Sequence, residues 1–240
     1  MIEIGCLANF NFTYRSEIDF ARKNNFKLVQ IWYDKNGISL LKDIDPVKSI
    51  KTAHFPAVIH AVLDINEFYE HVPRILEILK ALDHDELIIH PVCKSEEYTD
   101  STIAKLSKNV KFSYDLLSQS GISLYIENNS KLDPLLNTPE EVKFLFQENP
   151  NVKFILDVAH IKDYDHLEAM VKSKFPEMLH VADKHFDVIH EHLPIGEGEL
   201  DFKYIFSSSL KGFQGKIILE IVQSKEDVIN SRIKLEKVLL

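Results

Sequence analysis

Cysteine and basic residues are both scarce in this sequence. Only Cys6 and Cys93 occur among 240 residues, too few for a disulfide framework. Both fall in apolar, strand-like stretches where a reduced, buried thiol is expected, and a reducing cytoplasm fits that usage. The 28 lysines and arginines face 37 acids, for a formal charge of -9, which argues against a protein that grips nucleic acid by bulk electrostatics. No segment approaches the roughly 18 apolar residues that span a membrane. The opening Met1-Ile2-Glu3-Ile4-Gly5-Cys6 carries an acid and no basic stretch, so no signal peptide is expected. No Pro- or Gly-rich linker, low-complexity tract or duplicated motif divides the chain. No Gly-rich loop follows the first strand, which removes the dinucleotide fingerprint, and no phosphate loop occurs elsewhere.

What is present is a rhythm. Short apolar, β-branched runs recur at the roughly 25 to 40 residue interval of one βα unit. Eight can be read: Ile2 to Leu7, Lys27 to Trp32, Ala57 to Val62, Glu86 to Pro91, Ile122 to Glu127, Val152 to Asp157, Met178 to Ala182 and Lys216 to Ile221. Continuous runs of this kind suit parallel strands buried on both faces. Helical patterns lie between them. Thr138-Pro139-Glu140-Glu141 offers a Thr N-cap, Pro at the first helical position and two acids in the first turn. Glu67 to Leu82 puts Val72, Ile75, Leu76 and Leu79 on one face, Asp100 can cap the stretch that ends before Gly121, and the last helix starts near Ser224. The reading is α/β: one (β/α)₈ TIM barrel domain over residues 1–240, with its functional site at the C-terminal mouth.

The ends of the predicted strands carry the chemistry. They read Ile59-His60, Ile89-His90, Ile126-Glu127-Asn128, Leu156-Asp157, Leu179-His180 and Leu219-Glu220. Glu127, Asp157 and Glu220 would point three carboxylates into one space with no Arg or Lys at that depth. Like charges so close raise one another's pKa, and a divalent cation is the usual way to keep them ionised. His180 completes a metal set of Glu127, Asp157, His180 and Glu220, suited to Mn²⁺, Mg²⁺ or Co²⁺, with Zn²⁺ also compatible. Singly, an acid at a strand end is a helix cap or loop acceptor and a histidine a satisfied polar group; four matching types on four consecutive strands carry the signal. His60, His90, His160, His190 and His192 are candidates for further metal ligation or substrate contact. His190 lies in a loop beside His192, where Glu191 could equally face inward.

In order and spacing these motifs resemble the xylose isomerase-like TIM barrel superfamily, which holds sugar isomerases and epimerases together with endonuclease IV. The resemblance covers nearly the whole chain, and its carriers are Ile126-Glu127-Asn128, Leu156-Asp157-Val158-Ala159-His160, Leu179-His180-Val181-Ala182-Asp183, His192-Leu193-Pro194-Ile195-Gly196-Glu197-Gly198-Glu199-Leu200-Asp201 and Ile218-Leu219-Glu220. The resemblance implies a principal metal on Glu127, Asp157, His180 and Glu220. It also implies Glu127 and Glu220 as the acid/base pair of an isomerase or epimerase working through an enediolate, and His160 as a partner for a substrate oxygen. The partner would be a small sugar or sugar phosphate.

The endonuclease IV branch implies an alternative, a phosphodiesterase with three zinc ions acting on DNA, for which His60 and His90 match and a third ion would fall to His160, His190 and His192. Departures count on both sides. The nuclease pattern has an aspartate where His190 stands, a tyrosine where Leu63 stands, and an arginine and tryptophan where Gly37-Ile38-Ser39 stands. The isomerases carry a glutamate where Gln30 stands, and several epimerases an arginine where His192 stands. A non-catalytic metal-binding barrel, and a homo-oligomer of such barrels, are also compatible with the sequence.

Overall fold

The computed structural model describes residues 1–38 and 42–240; Ser39, part of the segment compared above, lies outside the described residues. The parallel strands are β1 (Glu3–Leu7), β2 (Val29–Asp34), β4 (Ala57–Asp64), β5 (Glu86–Val92), β6 (Ser123–Glu127), β7 (Lys153–Asp157), β8 (Met178–Val181) and β9 (Lys216–Leu219). They neighbour one another in the order β1-β9-β8-β7-β6-β5-β4-β2, and a β1–β2 pairing closes the ring. A two-residue β3 (Gly37–Ile38) pairs antiparallel with the end of β2. The helices are α1 (Tyr14–Lys23), α2 (Pro46–Ala53), α3 (Phe68–Leu82), α4 (Thr102–Ser118), α5 (Pro139–Glu148), α6 (Tyr164–Ser173), the single turn α7 (Phe202–Tyr204) and α8 (Lys225–Leu239). The expected eight-stranded parallel barrel is therefore present. No helix among the described residues is long and apolar enough to cross a membrane.

Local sequence explains the helix starts. Thr138 accepts from the Glu141 N–H while the Glu141 carboxylate returns to the Thr138 N–H, a complete capping box with Pro139 behind it. Ser224 caps α8 by accepting from the Asp227 N–H. Asp100 does not cap α4. Ser101 holds that position without a side-chain capping bond, and the Thr102 hydroxyl receives the Thr99 N–H at 2.9 Å, with Asp100 inside the Thr99–Thr102 turn but not capping the helix. On α3, Val72, Ile75, Leu76 and Leu79 are buried as their spacing predicts.

Alternation along the strands builds the inside of the barrel. Paired residues on neighbouring parallel strands face the same way. The register therefore stacks a middle layer of Leu28, Val58, Ile88, Tyr125, Ile155, Met178 and Ile218. β1 contributes Gly5 to this layer, because a Cβ there would stand 2.6 Å from Leu28 Cγ. Each large apolar side chain so enclosed stabilises the fold by roughly 1.5–3 kcal/mol.

One layer higher the composition switches. Continuing the register by two residues brings inward Gln30, His60, His90 and Glu127, then Asp157, His180 and Glu220, with Leu7 the apolar member. β4 and β5 run past their predicted ends at Val62 and Pro91, since they stay paired through Asp64 and Val92. His60 and His90 therefore sit inside strands, not at their ends. Leu63 faces the other way, fully buried between barrel and helices, so it cannot meet a ligand at the mouth.

Candidate metal centre

Glu127 is the hub of the upper layer. Its Oε1 accepts from His180 Nδ1 at 2.8 Å, and its Oε2 lies 2.9 Å from His60 Nε2 and 3.0 Å from His90 Nδ1. Gln30 bridges the layer. Its amide NH₂ donates to Glu220 Oε1 at 2.6 Å and reaches His60 Nδ1 at 3.3 Å, while its carbonyl accepts from His180 Nε2 at 2.7 Å. Both ring nitrogens of His180 thus face acceptors. His60, by contrast, donates through one nitrogen and accepts through the other.

The other half of the site hangs on the segments after β6, β7 and β8. Asn128 exchanges bonds with β7, accepting from the Asp157 N–H at 2.8 Å, and its backbone carbonyl receives His160 Nδ1–H at 2.9 Å. That bond fixes the tautomer and leaves the His160 Nε2 lone pair directed toward Asp157, 3.2 Å from Oδ2. Asp157 Oδ1 accepts the Ala159 N–H at 2.7 Å, starting the 3₁₀ turn Val158–His160 that carries His160.

Buried Asp183 ties down the loop that carries His190 and His192. It accepts from the N–H groups of Lys184 (2.9 Å), Gly196 (2.7 Å) and Leu200 (3.0 Å). Gly196 adopts a φ of +84°, and a Cβ on Gly198 would collide with the Lys184 carbonyl and the Asp183 carboxylate. The two glycines of Pro194-Ile195-Gly196-Glu197-Gly198 are thus explained by the turn around Asp183. His192 then lies 3.5 Å from both Asp157 Oδ2 and Glu220 Oε2. The rings of His160, His190 and His192 cluster, with centroids 4.9 to 5.5 Å apart. Glu191 turns away, taking the His185 N–H and Nδ1 at 2.9 Å each; the alternative in which it faces inward is not realised.

The electrostatics follow from burial and charge. Burial alone would protonate Glu127, but His180, His90 and His60 together hold its carboxyl well below the ordinary range. Glu220 moves down in the same way, chiefly through His180. Burial opposes a charge on His180, yet Glu220 and Glu127 raise it to about 9. Burial likewise opposes a charge on His90, and Glu127 raises it. Burial lowers His160 despite Asp157, and burial with the neighbouring His160 and His192 lowers His190 to about 4. His160 and His190 are therefore neutral imidazoles with lone pairs to give.

Three groups bring donor atoms within 4.8 Å of one another: Glu127, Asp157, His180 and Glu220; His60, His90 and Glu127; and His160, His190 and His192. All of the site residues expected from sequence fall in these groups. The donors fit a cation on a further count: Asp157 Oδ2, His160 Nε2 and His192 Nε2 are buried without a hydrogen-bond partner, which is costly unless an ion satisfies them. Two contributors were not foreseen. Gln30 was noted from sequence only as a departure, because an amide gives no charge signal; the indole N–H of Trp32, buried without a partner, lines the pocket above the layer. That pocket has a volume of about 340 Å³, with Leu7, Trp32, Val62 and Val92 in its walls and Lys94 the one lysine or arginine lining it among the described residues.

Comparison with known proteins agrees on the architecture. Residues 18–237 match the family model described as xylose isomerase-like TIM barrel. No curated protein matches the sequence. Among solved structures, a D-tagatose 3-epimerase-like protein superposes with a TM-score of 0.76 at 18% identity, covering 99% of this chain and 97% of that one. The D-allulose 3-epimerase of Methylomonas sp. in complex with D-allulose gives 0.76 at 16% identity over 98% and 96%. The IOLI protein with a bound zinc atom gives 0.76 at 14% identity over 99% and 98%. At these identities the likeness speaks for the fold. With the family model covering nearly all of it, the chain belongs to the xylose isomerase-like TIM barrel family.

Proposed function

We propose that this barrel is a divalent-metal-dependent sugar isomerase or epimerase that moves a proton on the carbon beside a carbonyl, through an enediolate. The observation that carries the reading is the placement of Glu127 and Glu220 on the two sides of the His180 ring, 2.8 and 3.6 Å from its nitrogens, at the floor of a cavity of about 340 Å³. A cavity of that size suits a monosaccharide. Glu127, Asp157, His180 and Glu220 would hold the metal, His180 releasing a ring proton to do so, and three carboxylates with one imidazole favour Mn²⁺, Mg²⁺ or Co²⁺ while admitting Zn²⁺. When bound, the ion supplies Lewis-acid polarisation of the carbonyl and its neighbouring hydroxyl.

The chain's own groups do the rest. One of Glu127 and Glu220, held ionised, takes the proton, and the same or the opposite carboxyl, once it carries a proton, returns one to the enediolate. Gln30 fixes Glu220 and His180 in position. His160 Nε2 and the Trp32 indole N–H, both without protein partners, meet substrate oxygens. The epimerases of similar fold, one holding D-allulose, are in keeping with a ketose. Incubating the metal-loaded protein with a panel of ketoses in deuterium oxide tests the reading. Deuterium should enter at the carbon next to the carbonyl, and a panel without exchange would count decisively against it.

A second reading, an endonuclease IV-like zinc phosphodiesterase, is favoured by the two histidine-rich groups flanking the central one. It requires about three zincs per chain and incision of an abasic-site duplex. One ion per chain with intact DNA removes it.

A further inference from the structure

Beside the central pocket lie two smaller cavities that the reaction above does not use. His160 lines all three. The second cavity, about 220 Å³, shares Asn129 with the central pocket. Lys131 and Lys162 line both the second cavity and the third, which is about 80 Å³. Lys184 lines the third as well. Three lysines from the loops after β6, β7 and β8 thus line one space that His160 lines as well.

These cations are poorly compensated. Lys184 is only 2% exposed, and its ammonium makes one hydrogen bond, to the Ile161 carbonyl at 3.1 Å. Asp157 and Glu191 act on it from a distance, but among the described residues no carboxylate stands within 4 Å of it. An ammonium has three donors, and a buried charge without a close counter-ion is costly. Lys131 makes no side-chain bond among the described residues, and Lys162 has only Asp163, at 3.7 Å and exposed. The acids in the linings are Glu140 in the second cavity and Asp187 in the third. His166 brings no charge of its own: it accepts the Lys162 N–H at 3.1 Å and donates to the Asn137 carbonyl at 3.1 Å. In a chain of net charge -9, a buried lysine joined by two exposed, weakly compensated ones around a small cavity is a place for an oxyanion.

We infer that the cavity lined by Lys131, Lys162 and Lys184 is a phosphate subsite, and that the sugar substrate is a phosphomonoester whose ring or chain lies in the central pocket. A volume of about 80 Å³ is several times the roughly 10–15 Å³ that one enclosed water needs, enough for one tetrahedral oxyanion. The central pocket has only Lys94 for such a charge. The substrate class rests on the isomerase or epimerase reading, whereas the anion site itself does not.

Calorimetric titration of the metal-loaded protein with inorganic phosphate tests the site without any turnover. Affinity should fall at least tenfold in the exposed double variant K131M/K162M, and similarly in K184M, where methionine keeps the length of the buried side chain. Wild-type affinity in K131M/K162M, or loss in E127Q with all three lysines present, would place the phosphate elsewhere and overturn the proposal. A panel of ketose phosphates and their parent ketoses tests the substrate class. At least one pair should bind tighter as the phosphate, with the difference abolished in K131M/K162M; if no pair does, the substrate assignment is wrong. Lysine-dependent phosphate binding without proton exchange would break only the isomerase reading. Exchange on unphosphorylated ketoses without such binding would break only this one.

Discussion

The two sides of the barrel mouth are built on different principles. On the side of β2, β4 and β5, the polar side chains rise from strands and satisfy one another: Gln30, His60 and His90 lock onto Glu127 and Glu220 at hydrogen-bond distance. On the side of β7 and β8, His160, His190 and His192 come from turns and loops, and Asp157 Oδ2, His160 Nε2 and His192 Nε2 face one another unsatisfied. Apart from the Trp32 indole N–H, the first side is a finished polar network, and the second is an incomplete one. On the readings proposed above, the second side takes more of the incoming chemistry, because a substrate oxygen and the lysine-lined cavities meet there at His160. Glu127 joins the two sides, so it is where the comparison can be broken hardest.

Replacing Glu127 by Gln keeps the shape and removes the charge that three histidines share. Proton exchange should fall by about 10²–10⁴, with loss of bound metal; Glu220→Gln should behave alike. Metal content by elemental analysis together with the exchange rate reads both. Full occupancy in both variants would mean that the metal does not sit where the carboxylates converge.

A smaller effect separates the sides. His60→Ala strips a partner from both buried Glu127 and Gln30, and should cost about 1–3 kcal/mol in chelator-treated protein. His192→Ala removes a ring whose Nε2 has no hydrogen bond, and should cost much less there while reducing the stabilisation gained on adding zinc. Equal melting shifts for the two, with and without zinc, would erase the distinction. Gly198→Ala attacks the loop side through its scaffold. The new methyl must displace Asp183 or Lys184, for about 1–3 kcal/mol, a drop of roughly 2–4 °C per kcal/mol in a chain of this size.

The asymmetry also explains what could be read from sequence. The barrel was legible because each βα unit repeats the same apolar run and helix signals, and Glu127, Asp157, His180 and Glu220 because acids and a histidine recur where strands stop. How far β4 and β5 run past His60 and His90 was not legible, since their extent depends on each other's pairing rather than on their own residues. Gln30 carries no charge to betray it. The loop side was hardest. Whether His190 or Glu191 turns inward is decided by His185, six residues from the glutamate, and the burial of Lys184 by a turn around Asp183 that no periodicity encodes.

The smallest expected effect concerns pH, and it sharpens the comparison because it touches only the loop side. His166 holds the segment after β7 to the segment before α5, accepting from the Lys162 N–H and donating to the Asn137 carbonyl. Burial keeps its pKa below 6.5, against the pull of the Asn137 carbonyl. A histidine depressed in the folded state is fully stabilising above its unfolded value and loses that contribution as pH falls through the range below it, because the unfolded chain takes up the proton first. Protonation at Nδ1 also destroys the acceptor for the Lys162 N–H. The melting temperature should therefore drop between about pH 7.5 and about pH 5.5 by more in the wild type than in His166→Gln, which cannot titrate. His60→Ala, altered only on the strand side, should keep this part of the slope. An identical slope in wild type and His166→Gln would show that this loop contact contributes nothing to stability.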